Sequence, residues 1–193
     1  MKYTKIIKNF ITESEIKLLN KWTLDHYKEP YFSDPHMNND DHQTRFTSRH
    51  AHKKNYKIKY PKVAYDIQKR LIKHFNIKQE QIIPPPEFTD GIVTGIAFSP
   101  GSCVEHCDPI HREDTYTLHC NFITQNPEHG GITYVEGVPY ETKEGDLIMY
   151  LASHAKHRVT EITGKTPRIL WICGFCVFDF QIPHIFKPSN FLY

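Results

Sequence analysis

No stretch of the chain approaches the ~18 consecutive apolar residues that span a bilayer, and no signal-like apolar segment follows Met1. A cytoplasmic protein without membrane contacts is the expectation. Charge of one sign is also scarce: 24 Lys and Arg face 22 Asp and Glu, a formal net of +2. That balance gives no strong electrostatic case for nucleic acid or a membrane surface. The cysteines number five, an odd count that predicts free thiols in a reducing compartment. Cys173-x-x-Cys176 has no second Cys pair to complete a four-ligand zinc site. At strand spacing its two members face opposite ways, which suits packing. No long internal repeat is present. With 193 residues, 39% hydrophobic and 13% aromatic, the chain predicts one domain, 1–193, large enough to bury a core without staples.

The first half reads as helical support. Residues 3–11 suggest an opening strand, and Thr12-Glu13-Ser14-Glu15 is a capping box that starts a helix. Ile16, Leu19 and Trp22, with Leu18 alongside, give that helix one apolar face to about residue 27. Residues 29–55 then turn polar and irregular. They read either as a solvated connection or as a substrate lid carrying Arg45 and Arg49. Pro61 suits the first turn of a second helix, along which Val63, Ala64, Ile67, Leu71, Ile72 and Phe75 recur at helical spacing. Pro84-Pro85-Pro86 is stiff and extended.

After Thr89 the pattern changes to short strands at 92–98, 103–108, 115–124, 131–136, 146–151, 157–162 and 168–178. Pro100-Gly101, Gly130-Gly131, Gly137-Val138-Pro139 and Gly145-Asp146 punctuate them. The fold class is therefore α+β and mainly β, with helices over 1–88 and a sandwich or barrel over 89–180.

Three polar residues interrupt that apolar pattern. His106 and Asp108 stand two apart, so a strand projects them from one face. His157 follows the apolar run Leu147-Ile148-Met149-Tyr150-Leu151. Polar side chains in a half-buried sheet are costly unless something compensates, and a divalent metal would. Two imidazoles and one carboxylate, with the remaining positions open, suit a non-haem Fe(II) oxygenase. Arg168 stands at the mouth of an otherwise apolar strand, where a guanidinium needs an anion, and its planar fork suits a carboxylate.

The order Gly101, His106-Cys107-Asp108, Gly130-Gly131, Gly145-Asp146, His157-Arg158-Val159, Gly164, Arg168 and Trp171 resembles the Fe(II)- and 2-oxoglutarate-dependent dioxygenases, in particular the prolyl-4-hydroxylase-like branch. Phe10-Ile11-Thr12-Glu13-Ser14-Glu15-Ile16 is similar to the opening of that family. The resemblance implies a double-stranded β-helix of the jelly-roll or cupin kind, flanked by the N-terminal helices. It implies Fe(II) held by His106, Asp108 and His157, and the distal carboxylate of 2-oxoglutarate held by Arg168. The implied reaction consumes 2-oxoglutarate and O2, releases succinate and CO2 and returns oxygen to a substrate C–H as hydroxyl, with ascorbate a candidate reductant. Asp108 points to hydroxylation, because halogenating members carry a small residue in the carboxylate position. Relatives place Tyr hydroxyls near the 2-oxoglutarate carboxylate, and the equivalents here read as Phe98 and Phe122. His119 or Asn121 would replace the missing donor if the polar face of 115–123 looks inward.

The implied substrate is an amino acid, free or within a peptide or protein. Two other readings stand beside it: an oxidative nucleic-acid demethylase and a non-catalytic metal-binding β-sandwich. The first lacks a second Arg in 169–178, and an intact triad with Arg168 speaks against the second. His154 is a rival third ligand, and His111 and Arg112, just past the metal strand, read equally as substrate contacts or as part of a solvated loop. The apolar segment 179–193, with Phe180, Ile182, Phe186, Phe191 and Tyr193, would cover a sheet edge, pack on the first helix or form a homodimer contact.

Overall fold

The first helix, α1 (Glu13–His26), begins where the capping box directs. Thr12 is extended; its hydroxyl accepts the Glu15 N–H while the Glu15 carboxylate accepts the Thr12 N–H. Leu19 and Thr23 are buried, and Ile16 and Trp22 pack beside them. Leu18 does not join that face: it lies a residue off the stripe and is 56% exposed. The second helix, α2 (Lys62–Phe75), buries Ala64, Ile67, Leu71 and Phe75. Pro61 is its N-cap, just ahead of the expected first-turn position, and Asn76 in the left-handed region closes it. Arg70 ties the helices together, donating to the Glu15 carboxylate at 2.7 Å and the Phe10 carbonyl at 3.3 Å.

The computed structural model describes residues 3–30, 32, 45–48, 58–84 and 88–187. Arg49, Pro85, Pro86, Phe191 and Tyr193 lie outside them. A six-stranded antiparallel sheet carries the helices. Its strands are β1 (Thr4–Ile7), β2 (Arg45–Thr47), β3 (Ile92–Ala97), β5 (Tyr116–Gln125), β9 (Leu147–Leu151) and β12 (Arg168–Val177), in the order β1-β9-β5-β12-β3-β2. A second sheet runs β4-β10-β7-β8, from β4 (Cys103–His106), β10 (His157–Val159), β7 (Thr133–Val135) and β8 (Val138–Tyr140). A short pair, β6 (His129–Gly130) and β11 (Ile162–Thr163), completes the strands among the described residues. This is the double-stranded β-helix, with helices on one side of the larger sheet and a cavity on the other.

Strand alternation sorts the side chains between those sides. From β12, Ile169, Trp171, Cys173, Phe175 and Val177 join the core under the helices. Ile172 and Cys176, with Leu170, pack on the opposite face against Ile83, Phe88 and Val93. Leu147, Met149 and Leu151 of β9 face the helices, whereas Ile148 and Tyr150 face Val135 and Ala152. Cys173 and Cys176 fall in different clusters, as a packing role requires, and all five cysteines are free thiols.

Two local expectations are revised and a third is narrowed to one of its alternatives. The stretch 29–55, read as irregular, contains β2, whose three residues are too few to show a period. The expected turn at Gly137-Val138-Pro139 is displaced: Glu136 and Gly137 take positive φ values of 52° and 75°, and Val138–Tyr140 is a strand. In the C-terminal segment, Ile182 and Ile185 of α3 (Ile182–Ile185) join the core beside Ile7. Phe186 meets Tyr3 edge-on at 6.1 Å, so this part covers the β1 side of the molecule. No helix among the described residues is long and apolar enough to cross a membrane.

Asp146, buried at the start of β9, organises the junction between chain start and barrel. Its carboxylate accepts the N–H groups of Asn9 and Lys143 and the Lys8 ammonium at 2.7 Å. Burial pushes its pKa up, but Lys8 and the two amides outweigh that and hold it below the ordinary 3.8. Asp146→Ala strands two amides and is expected to lower unfolding free energy by roughly 1–3 kcal/mol in urea melts. Lys8 is mostly exposed, so Lys8→Ala should cost less, about 0–1 kcal/mol. A depressed carboxylate stabilises above its unfolded pKa, so the Asp146 deficit should shrink as pH falls below 3.8.

Candidate metal centre

Strand β4 ends at His106, so Asp108 lies past it rather than within it. Asp108 is held instead by its N–H, which donates to the Ala152 carbonyl at 2.9 Å, just after β9. His157 opens β10 and pairs directly with His106 across the ladder, their rings 4.3 Å apart. His106 Nε2 lies 3.4 Å from one Asp108 oxygen and His157 Nε2 lies 3.7 Å from the other. The three candidate ligand atoms fall within 4.8 Å of one another.

The backbone orients both imidazoles. His106 Nδ1 is 2.8 Å from the Val104 carbonyl and His157 Nδ1 is 3.0 Å from the Ala155 carbonyl. A carbonyl can only accept, so each Nδ1 carries the hydrogen and Nε2 is the metal-facing atom. The Asp108 carboxylate, followed by the Cys103 thiol, lifts the His106 pKa to about 10 against the effect of burial. An entering metal ion displaces that proton.

His119 and Asn121 project from the inward face of β5, and Leu118, Cys120 and Phe122 from the helix side. The expected donors therefore do face the cavity. His119 Nε2 is 3.3 Å from Asp108 Oδ2, beside the carboxylate rather than beside Arg168. Phe98 and Phe122 are not at the cavity: Phe122 stacks on Phe10 at 5.7 Å, and Phe98 packs on Tyr27 and Phe46. Among the described residues the tyrosine that lines the cavity is instead Tyr150, which the sequence hides inside an apolar run. Its signal was alternation, since it shares a face with Ile148 while Leu147, Met149 and Leu151 take the other. Asn121 Nδ2 donates to the Tyr150 hydroxyl at 3.0 Å, leaving the phenol hydrogen to point elsewhere. Burial and then the Asp108 carboxylate push the Tyr150 pKa up, so the phenol stays protonated.

Arg168 is buried at the start of β12, and among the described residues no carboxylate pairs with it. Its Nη2 donates to Thr133 Oγ1 at 3.2 Å, while Nε finds no partner among them. Burial pulls the guanidinium pKa down to about 10, with Arg45 adding repulsion against the pull of Tyr150. The hairpin glycine Gly131 makes room for this side chain: its φ is 67°, and an added Cβ would lie 3.0 Å from Arg168 Cδ. Asn121 Oδ1 is a second buried polar atom without a partner among the described residues. Unsatisfied groups on one cavity mark where a polar ligand belongs.

The cavity opens between the sheets, with an empty volume of about 850 Å3 including its mouth. His106, Asp108, His157, Arg168, Tyr150 and Arg45 all line it. His154 is not part of the cluster; it sits in a turn, 2.8 Å from Ser153 Oγ and against the Tyr116 ring. His111 faces Phe88 at 6.2 Å and Arg112 lies over the Phe178 ring, so neither lines the cavity.

No family model and no curated protein matches the chain. Solved structures do. A prolyl-4-hydroxylase of Pseudomonas putida aligns with TM-score 0.65 at 12% identity, over 92% of this chain and 94% of its own. The viral collagen prolyl hydroxylase of Paramecium Bursaria Chlorella virus-1, in its 2-oxoglutarate complex, gives 0.61 at 14%, over 91% and 96%. The Trichoplax adhaerens prolyl hydroxylase, in complex with a hypoxia inducible factor peptide fragment, gives 0.58 at 14%, over 98% and 89%. Across nearly its whole length, the chain has the double-stranded β-helix fold of these prolyl hydroxylases.

Proposed function

We propose that this protein is an Fe(II)- and 2-oxoglutarate-dependent dioxygenase that hydroxylates a C–H bond of an amino acid, free or within a peptide or protein. The observation that carries the reading is a pairing: three converging ligand atoms and, across the same cavity, a buried guanidinium with no carboxylate paired to it among the described residues. Two imidazoles and a carboxylate fit Fe(II) and leave coordination positions open. When bound, the iron supplies the redox chemistry that couples O2 and 2-oxoglutarate to C–H hydroxylation.

The chain's own groups divide the remaining work. His106, Asp108 and His157 hold the metal, and the Val104 and Ala155 carbonyls fix the ring tautomers. His119, beside the second Asp108 oxygen, positions that carboxylate. Arg168 receives the distal carboxylate of 2-oxoglutarate, for which its fork is suited, and the protonated Tyr150 donates to the same anion. Asn121 orients the Tyr150 hydroxyl. Val93, Leu170 and Ile172 give the cavity an apolar wall, which excludes water from the reacting groups. Asp108 would hold the metal at the position a halide would need, which favours hydroxylation as the reaction. Among the structurally similar proteins, the Trichoplax enzyme is in complex with a peptide fragment and Streptomyces hygroscopicus HygX is bound to hygromycin B, so both a peptide and a small molecule stay open as the kind of substrate. The whole chain, 1–193, is read as a single catalytic domain.

Fe(II)- and substrate-dependent succinate formation is expected in the wild type and should disappear in His106→Ala and Asp108→Ala. Turnover surviving both changes would contradict the assignment. Arg168→Ala should raise the 2-oxoglutarate KM by about tenfold or more and Tyr150→Phe by a few-fold, in line with a charged and a neutral hydrogen bond; unchanged KM values would remove both from the cosubstrate site. Calorimetric titration with Co(II) reads the metal site without turnover. Affinity should collapse in His157→Ala and fall by roughly 10–100-fold in His119→Ala, the range for outer-shell partners of a metal ligand.

A further inference from the structure

Behind the apolar wall of the cavity lies a run of oxidisable rings that the proposed reaction does not use. Leu170 and Ile172 of β12 line the cavity, so alternation turns Trp171 between them to the helix side. There the Trp171 ring meets Tyr60 at 5.6 Å and Trp22 at 5.5 Å, and those two meet each other at 5.3 Å. Tyr60 in turn lies 6.4 Å from Tyr65 of α2. Trp171 and Tyr60 are buried, whereas Tyr65 is half-buried and its hydroxyl reaches the exposed Asp90. Trp171, Tyr60 and Tyr65 therefore lead, ring against ring, from the back of the cavity to the surface. The register places the inner end. Gly174 pairs with His119, whose Nε2 is 3.3 Å from the Asp108 carboxylate. Trp171 stands three residues from Gly174, about 10 Å along the strand.

Hydrogen bonding gives this run a direction. Electron exchange between rings weakens steeply with the gap between them, and rings in contact leave almost none. Where the charge comes to rest is decided by the proton. Trp171 Nε1 finds no partner among the described residues, so an oxidised indole has no base beside it and returns to neutral only by taking an electron. Tyr60 donates to the Ile92 carbonyl at 3.1 Å, an oxygen too weakly basic to keep a proton. Tyr65 donates to the Asp90 carboxylate at 3.2 Å, a base that can keep one. Of the three rings, Tyr65 is the one able to give up an electron and a proton together.

We propose that Trp171, Tyr60 and Tyr65 form an electron relay that discharges the metal site when O2 is activated there without a substrate C–H to oxidise. This inference rests on the oxygenase reading above. In each event one electron passes inward from Tyr65 through Tyr60 and Trp171 to an iron-centred oxidant, which is reduced by one equivalent. The Tyr65 proton moves to Asp90, leaving a neutral phenoxyl radical at the surface. A one-electron reductant of the ascorbate class then restores the phenol, which takes its proton back. The role is protective, because an oxidant without substrate otherwise attacks the side chains that line the cavity, Tyr150 and Leu170 among them.

The test uses the full chain with Fe(II) and 2-oxoglutarate, exposed to O2 without substrate and freeze-quenched for electron paramagnetic resonance. A tyrosyl signal should appear in the wild type, be lost in Tyr65→Phe and fall several-fold in Asp90→Asn, which keeps an acceptor but removes the base. Tyr65→Phe retains the ring and Asp90→Asn the side-chain shape, and thermal melts confirm that both fold. Trp171→Phe, which breaks the inner end, should lower the signal as well. Mass spectrometry should find more oxygen added to cavity side chains in each variant than in the wild type. No tyrosyl signal in the wild type, or an undiminished one in any of these variants, overturns the inference alone and leaves the rings as core packing. Failure of Fe(II) and 2-oxoglutarate to form a complex before O2 is admitted, read by visible absorption, would instead overturn the oxygenase reading and this inference with it.

Discussion

The structure depends on a sheet whose two faces are both buried but by different partners. Strands β5, β9 and β12 each present one set of alternate residues to the helices and the other to the cavity. The helix-facing set is continuous hydrocarbon, with Leu118, Phe122, Leu147, Met149, Trp171 and Phe175 all but inaccessible. That face contributes most of the hydrophobic stabilisation, of the order of 1.5–3 kcal/mol per fully buried large side chain. With one face secured so heavily, the opposite face can carry polar groups that a sheet with a single buried face could not hold.

The cavity face uses that latitude at measurable expense. Asp108, His119, Asn121, His157 and Arg168 are all buried. Each would be unfavourable alone, because burial without compensation disfavours charged and polar groups. Opposite charges are kept apart rather than joined: Asp108 sits among imidazoles, and Arg168 lies against Thr133 with no acid among the described residues. A protein selected for stability alone would pair them or replace both by apolar residues. Separation leaves one end of the cavity complementary to a cation and the other to an anion, the complementarity a metal-bound dicarboxylate requires.

Much of this was legible in the sequence because period and punctuation act locally. The capping box fixed the start of α1, and the apolar stripe fixed the buried face of α2. His106, Asp108, His157 and Arg168 stood out as polar residues in apolar strands. What escaped had physical reasons. Tyr150 is amphipathic, so its hydroxyl is invisible within an apolar run until the strand's facing is known. The facing of His119 and Asn121 could not be read because a two-residue period does not say which face is inside. Strand β2 has only three residues, and its pairing with β3 is set by tertiary contact. Leu18 looked like core because it neighbours Leu19, yet one step around a helix turns a side chain by about 100°.

The central claim is that one cavity binds Fe(II) through His106, Asp108 and His157 and binds 2-oxoglutarate through Arg168. The most direct test is the visible spectrum of the anaerobic protein with Fe(II) and 2-oxoglutarate added together. A weak charge-transfer band should appear with both present, be absent with either alone, and be absent from Asp108→Ala under the same conditions. No band in the wild type at saturating concentrations, or an undiminished band in Asp108→Ala, would contradict the account.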